Sequence, residues 1–155
     1  MSNIAFNIAK GRAVELHSRV VNNDPANAAI VVVLLNVTGD QDAALKDADT
    51  LAAVLALANV AEITNSGYAR KVLTDADLSD FTTDDTNDRN VIDTGDLTFS
   101  GIAAGDAITD VLFCYDSDTT GGTDANIVPL TLHDFAATPD GNDIVIQVSD
   151  YLRSA

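Results

Sequence analysis

The residues with the clearest chemical potential form the aspartate-rich segment 116–124, DSDTTGGTD. Its opening matches the D-x-D-x-x-G start of a calcium-binding loop, in which alternate oxygens bind the ion and the glycine makes a sharp turn. Such a loop ends on a bidentate glutamate at its twelfth position, where this chain has Ile127. The pattern favours a solvated connection between two strands. A calcium site formed by Asp116, Asp118 and Asp124 is the alternative.

A second acidic cluster occupies the segment 83–89, TDDTNDR. The oxygens of Asp84, Asp85 and Asp88 suit a hard cation. Short Asn and Asp side chains also bond to their own backbone and so shape turns, which is the commoner arrangement. The sequence therefore predicts a polar loop over residues 82–90 rather than a metal centre.

Cys114 and His133 are the residues that would serve a nucleophilic mechanism, with the imidazole as base and the thiolate as nucleophile. Cys114 lies in the apolar stretch 111–115, VLFCY, where a cysteine usually behaves as a small hydrophobic residue. The chain has no G-x-S-x-G motif, and His17 is its only other histidine. A single cysteine also excludes an internal disulfide framework and a multi-cysteine zinc site. We therefore expect no catalytic site, no cofactor and no enzymatic activity.

The N-terminal segment is the basic part of an acidic chain. Residues 1–23 carry Lys10, Arg12 and Arg19 against Glu15, whereas the whole chain has a net charge of −16. One interpretation is a docking arm that meets an acidic surface, and the other is an ordinary solvated helix face. The docking interpretation assigns partner contacts to Phe6, Lys10, Arg12 and Arg19.

Length and composition exclude several classes of protein. The 155 residues suit one domain, and a hydrophobic fraction of 46% excludes general disorder. The longest apolar run, residues 28–35, is far shorter than the roughly 20 residues of a membrane span, and we expect no signal leader. A net charge of −16 disfavours nucleic acid, which is bound mainly through Lys and Arg contacts to phosphate, and also an anionic membrane surface. Of the 24 acidic residues only Glu15 and Glu62 are glutamates, and aspartate prefers turns and caps to helix interiors.

Hydrophobic periodicity predicts the elements that must position these residues. Apolar residues at steps of three and four predict a helix from Phe6 to Val20, which residues 22–25, NNDP, bring to an end. The β-branched run 28–35 predicts a strand buried on both faces. A second helix is predicted at 50–58, with Asp47 or Asp49 as its N-cap. Further strands are predicted near residues 68–74, 91–94, 97–100, 107–115, 126–132 and 143–148.

This order of elements predicts an α+β fold, mainly an antiparallel sheet or β-sandwich with an N-terminal helix and a second short helix. We expect one domain over residues 1–155. Residues 1–23 would form an N-terminal helix or arm, and residues 28–155 would form a mainly β body.

Five stretches that cover nearly the whole chain carry a resemblance to known proteins. They are residues 9–16 (AKGRAVEL), 25–35 (PANAAIVVVLL), 67–75 (GYARKVLTD), 84–89 (DDTNDR) and 114–126 (CYD through DAN). Together they resemble a family of small structural proteins of tailed bacteriophages that are often encoded beside the major capsid protein.

The resemblance implies a virion protein of the capsid decoration, or cement, type, made in the bacterial host cytoplasm and bound to the outer capsid surface. Its partners would be the major capsid protein and further copies of itself, with a trimer favoured over a dimer because of shell geometry. An outer position agrees with the negative charge, because packaged DNA is a polyanion. The alternatives are another virion component, associated with the tail, neck or a fibre, and a calcium-dependent binding module.

Overall fold

The computed structural model describes residues 2–154, so the two end residues of the predicted domain, 1 and 155, lie outside the described residues. The described chain is mostly antiparallel β-sheet with three short helices, which confirms the predicted α+β class. The helices are α1 (Ala13–Val21), α2 (Asp42–Lys46) and α3 (Leu51–Leu55). The strands are β1 (Ile4–Ala5), β2 (Ala29–Val37), β3 (Val60–Glu62), β4 (Lys71–Leu73), β5 (Thr82–Asp84), β6 (Arg89–Ile92), β7 (Leu97–Phe99), β8 (Ile108–Asp116), β9 (Val128–Ala137), β10 (Ile144–Ile146) and β11 (Leu152–Ser154).

A six-stranded sheet forms the centre of the protein, in the order β1-β9-β8-β2-β3, with β4 pairing with β2 as well. The two central strands run antiparallel, with Ile30 opposite Tyr115 and Leu35 opposite Asp110. Every residue of β2 is buried except Asn36. The β-branched run was therefore correctly predicted as a strand covered on both faces, since both neighbouring layers pack against it.

Two smaller sheets complete the β structure, one of β10 and β7 and one in the order β11-β6-β5. The polar loop predicted for residues 82–90 is wrong, because this segment forms the hairpin of β5 and β6. Arg89 Nε lies 2.9 Å from Asp84 Oδ2 across the hairpin, and Asp88 has a φ of 51° in the turn. Strand β11 pairs along β6 from a segment about 60 residues further along the chain, placing Ser154 opposite Asn90. Local polarity does not reveal such a long-range partner.

The N-terminal helix is shorter than predicted. It begins at Ala13 rather than Phe6, and the residues before it form β1 and a series of turns. Gly11 has a φ of +80°, in the left-handed region that a helix cannot continue through. Phe6 and Ala9 are nevertheless buried, at 0% and 1% exposed. The apolar stripe thus predicted burial correctly and the backbone conformation wrongly.

The second predicted helix also contracts, to Leu51–Leu55. Its N-cap is Thr50, whose Oγ1 accepts a hydrogen bond from the Ala53 N–H at 3.1 Å. The capping roles predicted for Asp47 and Asp49 are therefore wrong, since the hydroxyl of Thr50 satisfies a free donor of the first turn.

Candidate docking surface

A groove lies between the N-terminal segment and the C-terminal strand, with a volume of about 400 Å³. Ala9 and Ala13 line it from the segment before and at the start of α1, and Leu152 and Arg153 line it from β11. It therefore joins two parts of the chain that are far apart in sequence. Small apolar side chains and two cations, Lys10 and Arg153, surround the same space.

Two cations near the groove, Lys10 and Arg12, are free of carboxylate partners within residues 2–154. Lys10 lines the groove, and Arg12 lies between the lining residues Gly11 and Ala13. Lys10 Nζ donates to the Asn7 side-chain oxygen at 2.8 Å, and both Lys10 and Arg12 are exposed. Within residues 2–154 neither of them lies in an ion pair with a carboxylate. Their positive charge is therefore directed to solvent or to a partner.

Arg19 and Arg153 differ from these two because each is matched by an acid on its own element or turn. Arg19 Nε lies 2.9 Å from Glu15 Oε1 one helical turn away, and the hydrogen bond to Glu15 raises the pKa of Arg19. Arg153 Nη2 lies 2.5 Å from Asp150 Oδ2. Both guanidinium groups are more than 40% exposed, so these pairs are surface pairs that a competing anion can reach.

Phe6 has no part in a docking surface. Its side chain is fully buried, and its amide donates to Leu130 O at 3.0 Å, continuing the pairing of β1 with β9. The prediction that Phe6 contacts a partner is wrong, because the aromatic ring belongs to the core on which the N-terminal segment packs.

The three aspartates of the alternative calcium site, Asp116, Asp118 and Asp124, do not converge on one point. Asp116 Oδ1 accepts from the Asp118 N–H at 3.0 Å, and Asp118 Oδ1 accepts from the Thr120 N–H at 3.0 Å. Asp124 turns instead to Arg70, with Nη1 2.6 Å from Oδ1. No group of three or more His, Cys, Asp or Glu side chains among residues 2–154 has a geometry that could hold a metal ion. The carboxylates shape the turn that the solvated-connection interpretation describes.

In the second acidic cluster, the carboxylate of Asp84 likewise forms its hydrogen bonds within its own hairpin. Asp84 Oδ2 accepts from Asn87 Nδ2 at 2.7 Å and from Arg89 Nε at 2.9 Å. These hydrogen bonds, led by the one from Asn87, lower the pKa of Asp84. Asp85 and Asp88 are exposed around the same turn.

Cys114 and His133 are not paired in the fold. Cys114 is completely buried in β8 opposite Pro129, and burial raises the pKa of its thiol. His133 stands opposite Val111, which is about 10 Å along the strand from Cys114 at the usual rise per residue. The imidazole Nε2 lies 3.0 Å from both Thr131 Oγ1 and the Tyr151 carbonyl oxygen. The pair therefore lacks the contact that would generate a thiolate.

The C-terminal half of the groove was not predicted from the sequence. Leu152 and Arg153 line it only because β11 pairs with β6, and nothing in the short segment 149–154 predicts a strand with that partner. The uneven charge between residues 1–23 and the rest of the chain was the one signal that pointed to this side of the molecule.

No protein-family model matches the sequence, and no curated protein or solved structure is similar enough to match. Among residues 2–154, no helix combines the length and the apolar character needed to cross a membrane.

Proposed function

We propose that this chain is a non-enzymatic capsid decoration protein that binds the outer surface of a tailed-phage head through the side that carries Lys10 and Arg12. The observation that carries the proposal is that these two cations are exposed and have no carboxylate partner among residues 2–154, in a protein with a net charge of −16. A partner with an acidic outer surface, in this proposal the major capsid protein, matches that side and is repelled by the rest.

Charge sets the orientation of docking. An asymmetric field of this kind turns the molecule so that its basic side faces an acidic partner and increases the rate of productive encounters. The groove beside the cations then offers the partly exposed apolar side chains of Ala5, Val14 and Leu152, which a partner segment can cover. Electrostatic attraction thus brings the two proteins together, and burial of apolar surface stabilises the complex.

The β-rich body suits a protein that acts by adhesion. The central strands β2 and β8 bury nearly all of their side chains, so the docking side stands on a rigid core. Ligands that bind only the assembled shell stabilise it by mass action, and many weakly bound copies act together through avidity. We propose that the protein occupies symmetry-related sites as a homo-oligomer, with a trimer favoured over a dimer.

The direct test mixes the purified chain with undecorated capsids of the same virus and follows co-sedimentation and heat resistance of the particles. We expect binding, and we expect Lys10→Glu and Arg12→Glu each to weaken it by about tenfold, because each places a negative charge at the contact. Lys71→Glu is the matched control, since it changes the net charge equally and Lys71 lies in β4, which contributes no residue to the groove, whereas Arg12 lies between the groove residues Gly11 and Ala13.

Two outcomes would overturn the proposal. Absence of co-sedimentation removes the capsid as partner, and equal weakening by Lys71→Glu removes this side as the contact. Counting copies per particle by quantitative mass spectrometry separates a head protein from a tail, neck or fibre-associated component, because only a protein repeated over the shell is present in hundreds of copies.

A further inference from the structure

Both histidines of the chain converge on one residue, Tyr151. His17 Nδ1 in α1 lies 2.8 Å from the Tyr151 hydroxyl, and His133 Nε2 in β9 lies 3.0 Å from the Tyr151 carbonyl oxygen. The phenol ring is 1% exposed and stacks on Phe113, with ring centroids 4.8 Å apart. Tyr151 immediately precedes β11, so these contacts fasten the C-terminal strand to the core.

The hydrogen-bond partners determine where each imidazole carries its proton. His17 Nε2 lies 2.7 Å from the Ser79 carbonyl oxygen, which only accepts, so Nε2 must donate and Nδ1 is left to accept from the Tyr151 hydroxyl. His133 Nε2 faces the Tyr151 carbonyl and must donate as well. Each ring therefore fits its surroundings in the neutral form.

A second proton on either ring would place a cation in a poorly hydrated site. His17 is fully buried, and burial lowers the pKa of both histidines below the usual value. The hydrogen bonds to the carbonyl oxygens of Ser79 and Tyr151 oppose this effect in part. Asp80, whose Oδ1 accepts from Ser18 Oγ at 3.0 Å, is the charged group near His17 and opposes it as well. Around His133 the charged groups are Asp134 of its own strand together with Asp150 and Arg153 of the C-terminal segment, which are paired with each other.

We propose that the two histidines and Tyr151 form an acid-released latch, in which protonation of the imidazoles displaces residues 149–154 and separates β11 from β6. Displacement admits water to both rings, which is what the charged forms require. The segment is the part that yields, because β11 is held by a three-residue ladder and its residues Arg153 and Ser154 are exposed. By contrast, His17 of α1 is fully buried, and β9 is held by pairing with β1 on one side and β8 on the other.

The pH range follows from the sign of the shifts. Because the pKa of each histidine is lower in the latched state than in an open one, the latch is fully stable above about pH 6.5 and weakens as the pH falls below it. The latch itself depends only on these contacts. Its consequence for docking rests on the proposed function: Leu152 and Arg153 form one wall of the groove, so release of the segment would dismantle that wall.

The test measures hydrogen exchange of the whole chain at pH 7.5 and pH 5.5, corrected for the intrinsic effect of pH on exchange. We expect protection of β11, β6 and the Tyr151 amide, which donates to Ile92 O at 3.0 Å, to fall at least tenfold at pH 5.5. The ladder between β2 and β8 should keep its protection. The double variant His17→Gln/His133→Gln should lose the pH dependence, because glutamine can donate to the same carbonyls but does not titrate.

Equal protection of the C-terminal segment at both pH values would overturn the proposal. So would a pH dependence that survives in the double variant, because carboxylates would then be responsible. If the double variant fails to fold, titration of the wild-type imidazoles by NMR decides instead: pKa values at or above that of free histidine in the folded protein contradict the latch. None of these measurements needs a capsid. The latch can therefore be confirmed or contradicted even if the docking proposal is wrong.

Discussion

Arg70 and the pair Lys10 and Arg12 differ in whether carboxylates of the same protein neutralise them. The comparison distinguishes a cation that stabilises the fold from cations that can bind a partner. The Arg70 guanidinium lies between two acids, with Nη2 2.6 Å from Glu62 Oε2 and Nη1 2.6 Å from Asp124 Oδ1. Its side chain is only 26% exposed. Lys10 and Arg12 are exposed and have no such partners within the described chain.

The Arg70 cluster holds distant segments together. Glu62 ends β3, Arg70 precedes β4, and Asp124 lies in the long turn after β8. The hydrogen bonds to Asp124 and Glu62 raise the pKa of Arg70, and the hydrogen bond from Arg70 is the main reason that the pKa of Asp124 is low. A planar guanidinium with two hydrogen-bonded carboxylates is rigid and specific, so it serves the fold. An exposed cation without a partner contributes little to the fold and remains free to bind.

Replacement of Arg70 should have the largest effect on stability. Arg70→Met leaves Glu62 and Asp124 close together without a cation, which should cost about 2 kcal/mol of unfolding free energy, less than for a fully buried pair because the cluster is partly hydrated. The thermal midpoint, followed by circular dichroism, should fall by roughly 4–8 °C. Lys10→Met is the control, and it should cost less than about 0.5 kcal/mol although it removes the same charge. Equal losses of unfolding free energy in the two variants would show that Arg70 stabilises the fold no more than Lys10 does.

Salt should separate the two regions without any mutation. Raising sodium chloride from 50 to 500 mM should weaken capsid binding by about tenfold, because exposed charges are screened over a few ångströms at high ionic strength. The thermal midpoint should change little, because the Arg70 contacts are direct hydrogen bonds in a half-buried site. Binding that does not respond to salt would argue against a role for Lys10 and Arg12.

Asp110 supplies the opposite case, a buried carboxylate that forms no ion pair within residues 2–154. It is 1% exposed and lies opposite Asp134 in the pairing of β8 with β9. Thr109 Oγ1 donates to Oδ2 at 2.6 Å, whereas Oδ1 has no hydrogen-bond partner in the described chain. Burial raises the pKa of Asp110, and Asp134 adds to the increase.

Asp110→Asn should therefore stabilise the protein by about 1 kcal/mol at pH 7, where the wild-type residue carries its unfavourable charge. The sign follows from the raised pKa: protonation stabilises the fold below the ordinary aspartate value, and this contribution is lost as the pH rises through the raised value. The gain should disappear near pH 3, and urea unfolding at both pH values measures it. A variant less stable than wild type at pH 7 would show that the charge has a partner after all. Asp134→Asn, at an exposed position, should give a smaller gain.

Calcium should have the smallest effect. Because Asp124 is engaged by Arg70 and Asp116 by the Asp118 amide, addition of calcium after a chelator should leave the thermal midpoint unchanged. A reproducible increase with calcium, lost in Asp118→Asn, would instead support the calcium alternative and show that Asp124 can exchange partners.

Some of this architecture was predictable because it depends on residues that are close in sequence. The run 28–35 contains four consecutive β-branched residues, which favour a buried strand. Residues 22–25 do end the helix, which stops at Val21 and is followed by Asn23 with a φ of 51°. The apolar spacing of Phe6 and Ala9 correctly indicated burial. It also fits a helix, but the amides of Phe6 and Asn7 donate to the distant carbonyls of Leu130 and Lys46, and Gly11 adopts a left-handed conformation.

The candidate surface was only half predictable. The positive charge of residues 1–23 identified Lys10 and Arg12, but the burial of Phe6, the local pairing of Arg19 with Glu15, and the second wall from β11 all depend on contacts that local patterns do not record.

The sequence by itself determined the composition of the core strands, the excess of aspartate in turns and the sign of the charge in each region, since these depend on residue type and short-range spacing. The tertiary structure alone decided which charges neutralise one another and which stay available. Arg70 meets Asp124 across 54 positions and His17 meets Tyr151 across 134, and such pairings exist only once the sheets have brought distant segments together. The physical reason is that the strength of a Coulomb or hydrogen-bond interaction depends on separation in space and on burial, and neither is a property of the local sequence.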